Sequence, residues 1–428
     1  METAVIDTPP RACLVLAGCA LLLAVSASRA QSRPPTAASS GPYYLGASVA
    51  RGHDSNVFRV PQAQGPQADS HTTTSVLAGA DKPVGRQRVH TDLALRRQRF
   101  NRLSELDNNG YGARAGLDWE TAGKVSGQIQ GSAEKSLAPY GSPFTTTTAV
   151  RERNILRERT FSASVQRGTV RSKLQPFVAF NKRNSEYSAE AYRFRNNDRR
   201  AVRAGVRWRP SDRLTLATAA VEARGKYPFS RTAAGVVPLP DEYKSHGIEL
   251  TGDWEATGKS RLDGRIGYEQ RRYELATRRN FSGVNGLVRW HWQPTGKLSF
   301  TTSLVRDADD TDRLLPVDAT DLTAAGSRIT NSAILDGTWQ ATAKVAVNAN
   351  LRLSDRKLVN PFVDAGGGVQ NLRGSDTTRY TALGATWEAT RNVSAGCNVG
   401  RLSRSTDSNL SFPFKANTVN CQVQALMR

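Results

Sequence analysis

Few residues in this chain have the chemistry of a catalytic or metal-binding site. The 428 residues include five histidines, and a hydrolase needs a histidine held beside a nucleophile and an acid. His291 is the best candidate for such a base, but no nucleophile motif surrounds it. The acidic run from Asp307 to Asp312 offers carboxylates to Ca²⁺, yet it lacks the glycine and distal glutamate of a helix-loop-helix calcium site. We therefore predict a protein that is not an enzyme and has no metal or cofactor.

Two cysteines near the C-terminus are candidates for a disulfide. If a loop centred near residues 407–411 closes a hairpin, positions whose numbers sum to 818 face each other, and 397 + 421 is 818. In an oxidising compartment this spacing predicts a disulfide between Cys397 and Cys421. The alternative is two free small side chains that face lipid.

A short phrase recurs six times and divides the chain into strands. Each copy begins with tryptophan, and most end five residues later in lysine or arginine, as in Trp292-Gln-Pro-Thr-Gly-Lys297. Apolar and polar residues alternate on both sides of each copy, which is typical of β-strands joined by short turns. The six tryptophans are Trp119, Trp208, Trp254, Trp292, Trp339 and Trp387.

The alternation of short turns with long polar segments predicts a transmembrane antiparallel β-barrel. Propeller blades and solenoid coils also repeat at this length, but they bury their tryptophans in a core. In a barrel, the tryptophans form a girdle at one membrane interface, beside short periplasmic turns and opposite long extracellular loops. Eight turns join sixteen strands, and the first and last strands make about eighteen. The turns are predicted near residues 83, 121, 168, 210, 256, 294, 342 and 390.

The longer polar segments are predicted to be extracellular loops. Two stretches near the strand ends combine arginine with aromatic residues, Tyr192–Arg195 and Arg271–Tyr273. Such a mixture binds sugars, or it solubilises an exposed loop, and we favour the second interpretation. The predicted loops are 138–150, 182–198, 226–242, 306–327, 354–377 and 403–415.

The polar row of each strand is predicted to face the barrel lumen. In the fourth strand, Tyr111, Leu117 and Trp119 alternate with Arg114 and Asp118, so the apolar row faces lipid and the charged row faces inward. Arginines recur on these inward rows and would form a path for anions. They are Arg96, Arg114, Arg203, Arg207, Arg265, Arg289 and Arg352.

The N-terminal segment predicts export. An apolar run at 12–27 follows an arginine and precedes Ser28-Arg29-Ala30, which is the layout of a secretory signal cleaved after Ala30. A lipoprotein cleavage box at Leu16–Cys19 is the less favoured alternative, because only six apolar residues precede it. The predicted regions are a signal peptide at 1–30, a flexible tail at 31–41 and an outer-membrane β-barrel at 42–428.

The charge of the chain suggests which partners it meets. Lys and Arg exceed Asp and Glu by 59 − 38 = 21, an excess that in an exported chain indicates polyanions other than nucleic acid. The expected partners are membrane lipid and lipopolysaccharide, with exopolysaccharide and other secretion-system proteins as further candidates, and the barrel-assembly machinery during insertion. Whether the charge lines the lumen or lies on solvated loops stays open at this point.

The chain resembles the exopolysaccharide-biosynthesis outer-membrane barrels called EpsL. The resemblance rests on Asp54-Ser-Asn-Val-Phe-Arg59 after the opening strand, the Trp-ended hairpins, and the closing pair around Gly396-Cys397 and Asn420-Cys421. It implies a role in secreting a polysaccharide. For Asp54 and Asn56 we favour a loop-ordering role through side-chain to backbone hydrogen bonds over contact with a substrate.

These observations lead to one expected function and two alternatives. The expected function is a non-enzymatic barrel in the outer membrane of a Gram-negative bacterium that takes part in exopolysaccharide biosynthesis or export through a cationic lumen. The first alternative is an anion-selective porin for small solutes. The second is a barrel-embedded enzyme that modifies polysaccharide or lipid.

Overall fold

The computed structural model describes residues 42–140, 151–168, 172–232, 235–307, 327–363, 369–408 and 410–427, so the predicted signal peptide and tail lie outside the described residues. Twenty β-strands follow one another in the described ranges. The first ten are β1 (Tyr43–Asp54), β2 (Asp69–Val84), β3 (Gln87–Phe100), β4 (Asn108–Glu120), β5 (Val125–Leu137), β6 (Ile155–Arg167), β7 (Leu174–Tyr187), β8 (Asn197–Ser211), β9 (Leu214–Tyr227) and β10 (Ser230–Thr232). The other ten are β11 (Gly235–Val237), β12 (Asp241–Thr257), β13 (Ser260–Tyr273), β14 (Phe281–Thr295), β15 (Leu298–Asp307), β16 (Ser327–Gln340), β17 (Val345–Val363), β18 (Val369–Glu388), β19 (Val393–Thr406) and β20 (Phe414–Met427). No helix in the described ranges is long and apolar enough to cross a membrane.

Eighteen of these strands form one closed antiparallel sheet, which confirms the predicted fold class and strand number. Each strand pairs with its neighbours in sequence, and β9 pairs with β12 because β10 and β11 form a separate small hairpin in the intervening loop. The sheet closes where β1 pairs with β20, with Leu45 opposite Met427. Closure satisfies the backbone hydrogen-bonding groups of every strand, as a sheet inside a lipid bilayer requires.

Hydroxyl groups fix the recurrent short turns. In three of the turns a threonine Oγ1 accepts hydrogen bonds from the two backbone N–H groups that begin the next strand; Thr342, for example, accepts from Lys344 at 3.2 Å and Val345 at 3.0 Å. Thr295 and Thr390 repeat this arrangement. The threonine of the recurrent phrase therefore closes the turn, because its side chain supplies an acceptor where strand pairing stops.

The strands extend further into the predicted extracellular loops than the sequence indicated. β7 continues to Tyr187, β9 to Tyr227, and the hairpin of β17 and β18 reaches Val363 and Val369. The loop prediction was wrong for these segments, because polar residues keep pairing in a strand once the sheet has left the apolar part of the membrane. Of the predicted loops, residues 141–150, 308–326 and 364–368 lie outside the described residues.

The outward rows form an apolar belt whose height can be measured on two strands. On β8 the row runs from Trp208 through apolar residues to Arg200, and on β18 it runs from Trp387 to Arg379, eight residues in each case. Eight residues at about 3.4 Å each, in strands tilted by roughly 40°, span about 20 Å of membrane depth. This height is close to the roughly 25 Å apolar band of outer-membrane barrels.

The six tryptophans lie on the outward rows beside the short turns. Five are between 40% and 54% exposed, and the sixth, Trp119, is less exposed because its ring covers Gly127. Trp292 also stacks between Trp290 and Phe300, at ring distances of 5.5 and 5.7 Å. The structure thus places all six at one rim of the barrel, on the face that the sequence assigned to lipid.

A disulfide joins the last two strands. Cys397 on β19 lies directly opposite Cys421 on β20, and their sulfur atoms are bonded. Both cysteines belong to the outward rows of their strands; on β19, Cys397 lies between the outward residues Ala395 and Val399. The bond links β20, which closes the barrel against β1, to its other neighbour in the sheet.

Candidate functional site

The interior of the barrel is the candidate site, because the inward rows gather most of the polar side chains that pair with one another. All seven predicted lumen arginines lie on inward rows. They are Arg96 on β3, Arg114 on β4, Arg203 and Arg207 on β8, Arg265 on β13, Arg289 on β14 and Arg352 on β17. Four of them form ion pairs with acidic residues of neighbouring inward rows, so the wall carries charge of both signs.

Glu249 on β12 binds two of these arginines. Its Oε2 atom lies 2.9 Å from Nη1 of Arg265 and 3.5 Å from Nε of Arg203. Arg203 reaches it across β9, where the inward residue Ala219 is small and buried. At this level, two guanidinium groups share one carboxylate, which leaves a single net positive charge on the wall.

Asp263 on β13 forms a second such group with Arg289 and His291. Arg289 Nη1 is 3.6 Å from Asp263 Oδ2, His291 Nε2 is 2.9 Å from Asp263 Oδ1, and His291 Nδ1 is 3.2 Å from the Thr301 hydroxyl. An acid, an imidazole and a hydroxyl therefore stand in line. Acyl transfer also needs free N–H groups around the reacting carbonyl, whereas Thr301 lies inside the paired strands β14, β15 and β16. The absence of enzyme activity stays a prediction.

The other predicted lumen arginines have polar partners or neighbours. Arg207 Nη1 donates to the side-chain oxygens of Gln166 at 2.6 Å and Gln175 at 3.2 Å. Arg352 Nε donates to Ser354 Oγ at 3.3 Å, and Arg96 Nη1 lies 3.7 Å from Glu134 Oε1. Arg114 lies opposite Asp92 in the register of β3 and β4. These contacts fix the guanidinium groups in place along the wall.

The loop between β7 and β8 folds into the extracellular mouth of the barrel. Tyr192 and Phe194 in this loop are buried, and Tyr192 packs with Leu156 and Tyr187 at the inward ends of β6 and β7. Arg195 lies over the rings of Tyr187 and Tyr192, at 5.9 and 5.6 Å from their centroids. The loop narrows the opening, because its apolar side chains contact the inner wall.

Arg195 belongs to a basic group that spans this mouth. In the ring of eighteen strands, β7 and β19 are ten places apart one way and eight the other, so they stand on nearly opposite walls. Burial lowers the pKa of Arg404 on β19 to about 9, and the charges of Arg356 and Arg195 lower it too, whereas Asp376 raises it. We name Arg195, Arg356, Asp376 and Arg404 the mouth cluster.

Asp376 holds the mouth cluster together. Its two carboxylate oxygens each lie 3.2 Å from Nε of Arg356, and both side chains are almost fully buried. Burial raises the pKa of Asp376, but the charges of Arg356 and Arg404 outweigh burial and hold the pKa below its ordinary value. The carboxylate is therefore ionised at neutral pH beside the guanidinium groups of Arg356 and Arg404. Together with Arg195, whose charge acts on Arg404, the cluster has a net charge of +2.

Sequence reasoning missed the mouth cluster, although a signal for it exists. Arg356 and Asp376 fall in the segment that was assigned to an extracellular loop. The alternation of Arg352, Ser354 and Arg356 with outward residues continues without a break past the apolar belt. Following that alternation would have placed Arg356 on the same inward row as Arg352.

A second aromatic group lines the mouth at β9, β12 and β13. The rings of Tyr227, Tyr243 and Tyr273 lie 5.2 to 6.3 Å apart, and Arg271 lies 5.1 Å from the Tyr243 centroid. Arg271 is fully buried and also pairs with Glu269 at 2.8 Å. The prediction of an exposed loop was wrong here, because residues 271 and 273 occupy the inward row of a strand.

The motif Asp54–Arg59 orders the loop after β1. Asp54 accepts hydrogen bonds from Asn56 N at 2.9 Å and Arg59 Nη1 at 2.8 Å. The Asn56 side chain bonds the backbone of Val60 in both directions and donates to the carbonyl of Lys415 on β20 at 3.1 Å. These contacts are those of a loop-ordering motif, and they tie the first strand to the last where the barrel closes.

Metal ligands do not gather in this interior. In the described ranges, no three His, Cys, Asp or Glu side chains form a group able to hold a metal ion. Residues 308–312 of the acidic run lie outside those ranges.

The closed sheet, the apolar belt and the tryptophan rim define an outer-membrane β-barrel of a Gram-negative bacterium. Neither a protein-family model nor a curated protein matches the chain.

Solved structures of outer-membrane proteins are similar to it over 90% of its length. They include Acinetobacter baumannii OccAB3 (9% identity, TM-score 0.48, 99% of that chain covered) and Pseudomonas aeruginosa OccK2 (OpdF) in complex with glucuronate (10%, 0.48, 98%). A third is the outer membrane protein opdK from Pseudomonas aeruginosa (12%, 0.47, 98%). These likenesses concern the fold alone.

Proposed function

We propose that this protein is a narrow outer-membrane porin for small anionic solutes. The observation that carries the proposal is the mouth cluster, in which Asp376 pairs with Arg356 and is the one carboxylate beside the guanidinium groups of Arg356, Arg404 and Arg195. Arg195 is partly exposed, whereas Arg356, Arg404 and Asp376 are buried. Their net positive charge attracts anions to the opening and repels cations through its field rather than by direct contact. An anion would therefore meet its strongest attraction at the extracellular entrance.

The wall below the mouth suits a small solute. Glu249 and Asp263 each contact two basic side chains, so their charges are held at fixed positions along the lumen. A passing anion exchanges one fixed guanidinium for the next, and the acidic partners keep any one site from binding it too tightly for release. The ion pairs thus support passage and the mouth cluster supports selection.

Export of a polymer has less support from the same contacts. In one loop the buried side chains of Val57 and Phe58 pack with Phe100 at the end of β3, and in another Tyr192 packs with Leu156 and Tyr187. A hydrated polysaccharide would require these apolar contacts to open at a cost in free energy. The polysaccharide role implied by the EpsL resemblance stays a prediction.

Planar-bilayer recordings test the proposal. The wild-type barrel should conduct and should show a reversal potential of anion-preferring sign under a salt gradient. Arg195→Glu changes the charge of the mouth cluster from +2 to zero and should abolish most of this preference. Arg193→Glu is the matched control, because it makes the same change two residues away on an exposed side chain of the same loop.

Three outcomes would overturn the proposal. The first is a wild-type barrel that conducts with cation preference. The second is equal loss of anion preference in the Arg195→Glu and Arg193→Glu variants. The third is a barrel that stays closed in bilayers while deletion of its gene abolishes secreted polysaccharide, a result that would favour export instead.

A further inference from the structure

Positive charges follow the upper edge of the apolar belt on the outside of the barrel. On four strands the outward residue eight positions above the rim is an arginine: Arg51 on β1, Arg200 on β8, Arg306 on β15 and Arg379 on β18. These side chains lie where the belt ends on the extracellular side. That depth corresponds to the headgroups of the outer leaflet.

Five outward cations lie near this depth on the four consecutive strands β5 to β8. We name this set the headgroup patch, and it consists of Lys135, Arg157, Arg159, Lys182 and Arg200. All five lie on outward rows, and Arg157, Arg159 and Arg200 are exposed. The outward row of the same strands also carries Glu186 and Asp198, so the patch has a net charge of 5 − 2 = +3.

The strand register sets like charges against each other in this patch. Lys135 on β5 lies directly opposite Arg157 on β6, and Lys182 on β7 lies directly opposite Arg200 on β8. Like charges directly opposite in an antiparallel pair destabilise the sheet. A bound anion between the strands would remove this repulsion, which is a reason for such pairs to occur at a binding surface.

Acidic neighbours neutralise the headgroup patch only in part. Asp198 lies 3.7 Å from Lys182 Nζ and 3.7 Å from Arg200 Nε, so one carboxylate serves two cations. The neighbouring strands β9 and β12 differ, since Arg224 pairs with Glu222 at 3.2 Å and Lys226 with Glu242 at 3.0 Å. The row of like charges nevertheless continues beyond the patch, since Arg200 lies directly opposite Arg224 and Arg224 directly opposite Lys244.

Directly below the patch, the outward rows present large apolar side chains. Phe161 on β6, Val178 and Phe180 on β7 and Val202 on β8 lie there, and the two phenylalanine rings are 6.2 Å apart. A molecule with negative charges above and several acyl chains below would match both surfaces. We propose that the headgroup patch binds the phosphate groups of lipopolysaccharide, with the acyl chains of its lipid A along the apolar belt.

Lipid A binding by the purified barrel in detergent tests this assignment. Arg157→Gln with Arg159→Gln removes two cations from the patch. The control, Arg306→Gln with Arg379→Gln, removes two cations at the same depth that no other cation faces across the sheet. Each basic residue beside an anionic lipid surface contributes about fivefold to affinity. We expect the patch variant to bind bisphosphorylated lipid A at least tenfold more weakly, and the control variant to lose less than threefold.

Further measurements distinguish phosphate binding by the patch from binding of the acyl chains alone and from a general loss of stability. Fully dephosphorylated lipid A should bind the wild-type barrel and the patch variant equally, because only the acyl chains remain. Arg157→Lys with Arg159→Lys should keep most of the affinity. Without lipid, the patch variant should resist heat about as well as the wild type, because the repulsion between Lys135 and Arg157 is relieved while the favourable pairing of Arg157 opposite Glu186 is lost. Equal loss in the patch and control variants, or an unchanged patch variant, would overturn the proposal.

Discussion

Removing the carboxylate of Asp376 should destabilise the barrel more than removing an exposed carboxylate. Asp376 and Arg356 are 1% and 4% exposed, and Nε of Arg356 is 3.2 Å from both carboxylate oxygens. In Asp376→Asn, the guanidinium groups of Arg356 and Arg404 stay buried without the carboxylate that faces them. The change keeps the size of the side chain, so the effect arises from charge and hydrogen bonding.

The expected loss follows from the geometry. At 3.2 Å and an effective dielectric constant near 20, the attraction is about 5 kcal/mol. Removing one partner of a buried ion pair costs about 3–5 kcal/mol in proteins. We therefore expect the free energy of unfolding to fall by about 3–5 kcal/mol.

Urea unfolding in detergent micelles, followed by fluorescence of the seven tryptophans, measures this change. The control is Asp81→Asn, which breaks the pair with Arg88, where both side chains are 45% exposed. Exposed pairs contribute about 0–1 kcal/mol, so the control should change little. Equal losses of stability in the two variants would show that burial does not strengthen the pair of Asp376 and Arg356.

Three further predictions concern pH, the disulfide and the loop after β1. The pKa of Asp376 is held below its ordinary value, so its contribution to stability is present at neutral pH and is lost as the pH falls through the lowered value, below about pH 4. The free energy of unfolding should therefore decrease more in wild type than in Asp376→Asn when the pH is lowered through this range. Reducing the bond between Cys397 and Cys421, which are 24 residues apart, should lower the free energy of unfolding by about 3 kcal/mol. Urea unfolding curves with and without reductant measure this difference, and identical curves would contradict the prediction. Asn56→Ala removes the side-chain oxygen that accepts a hydrogen bond from Val60 N, and the free energy of unfolding should fall by about 1–3 kcal/mol. The loop at 55–68 should then be cleaved by protease faster than in wild type, and an unchanged cleavage rate would argue against the ordering role of Asn56.

The sequence by itself determined the barrel and the two faces of its strands. Alternation with a period of two does not depend on distant contacts, and a membrane-spanning strand needs apolar residues at every second position along its whole belt. The recurrent phrase marked the turns, so the strand number followed from counting. The inward positions of Arg203 and Arg289 could be predicted in the same way, because the alternation of apolar and polar residues along a single strand determines which side chains face inward.

Only the tertiary structure decided which charges meet. Arg203 and Glu249 are separated by an entire strand, and the charge of Arg195, in the loop between β7 and β8, acts on Arg404 of β19. Such contacts depend on the relative register of strands that are far apart in sequence, and on a loop that folds inward because its aromatic side chains are better buried than exposed. The net positive charge can be counted from the composition. Its distribution cannot, because the closed sheet determines which basic residues pair with acidic residues inside the barrel and which face the outer leaflet.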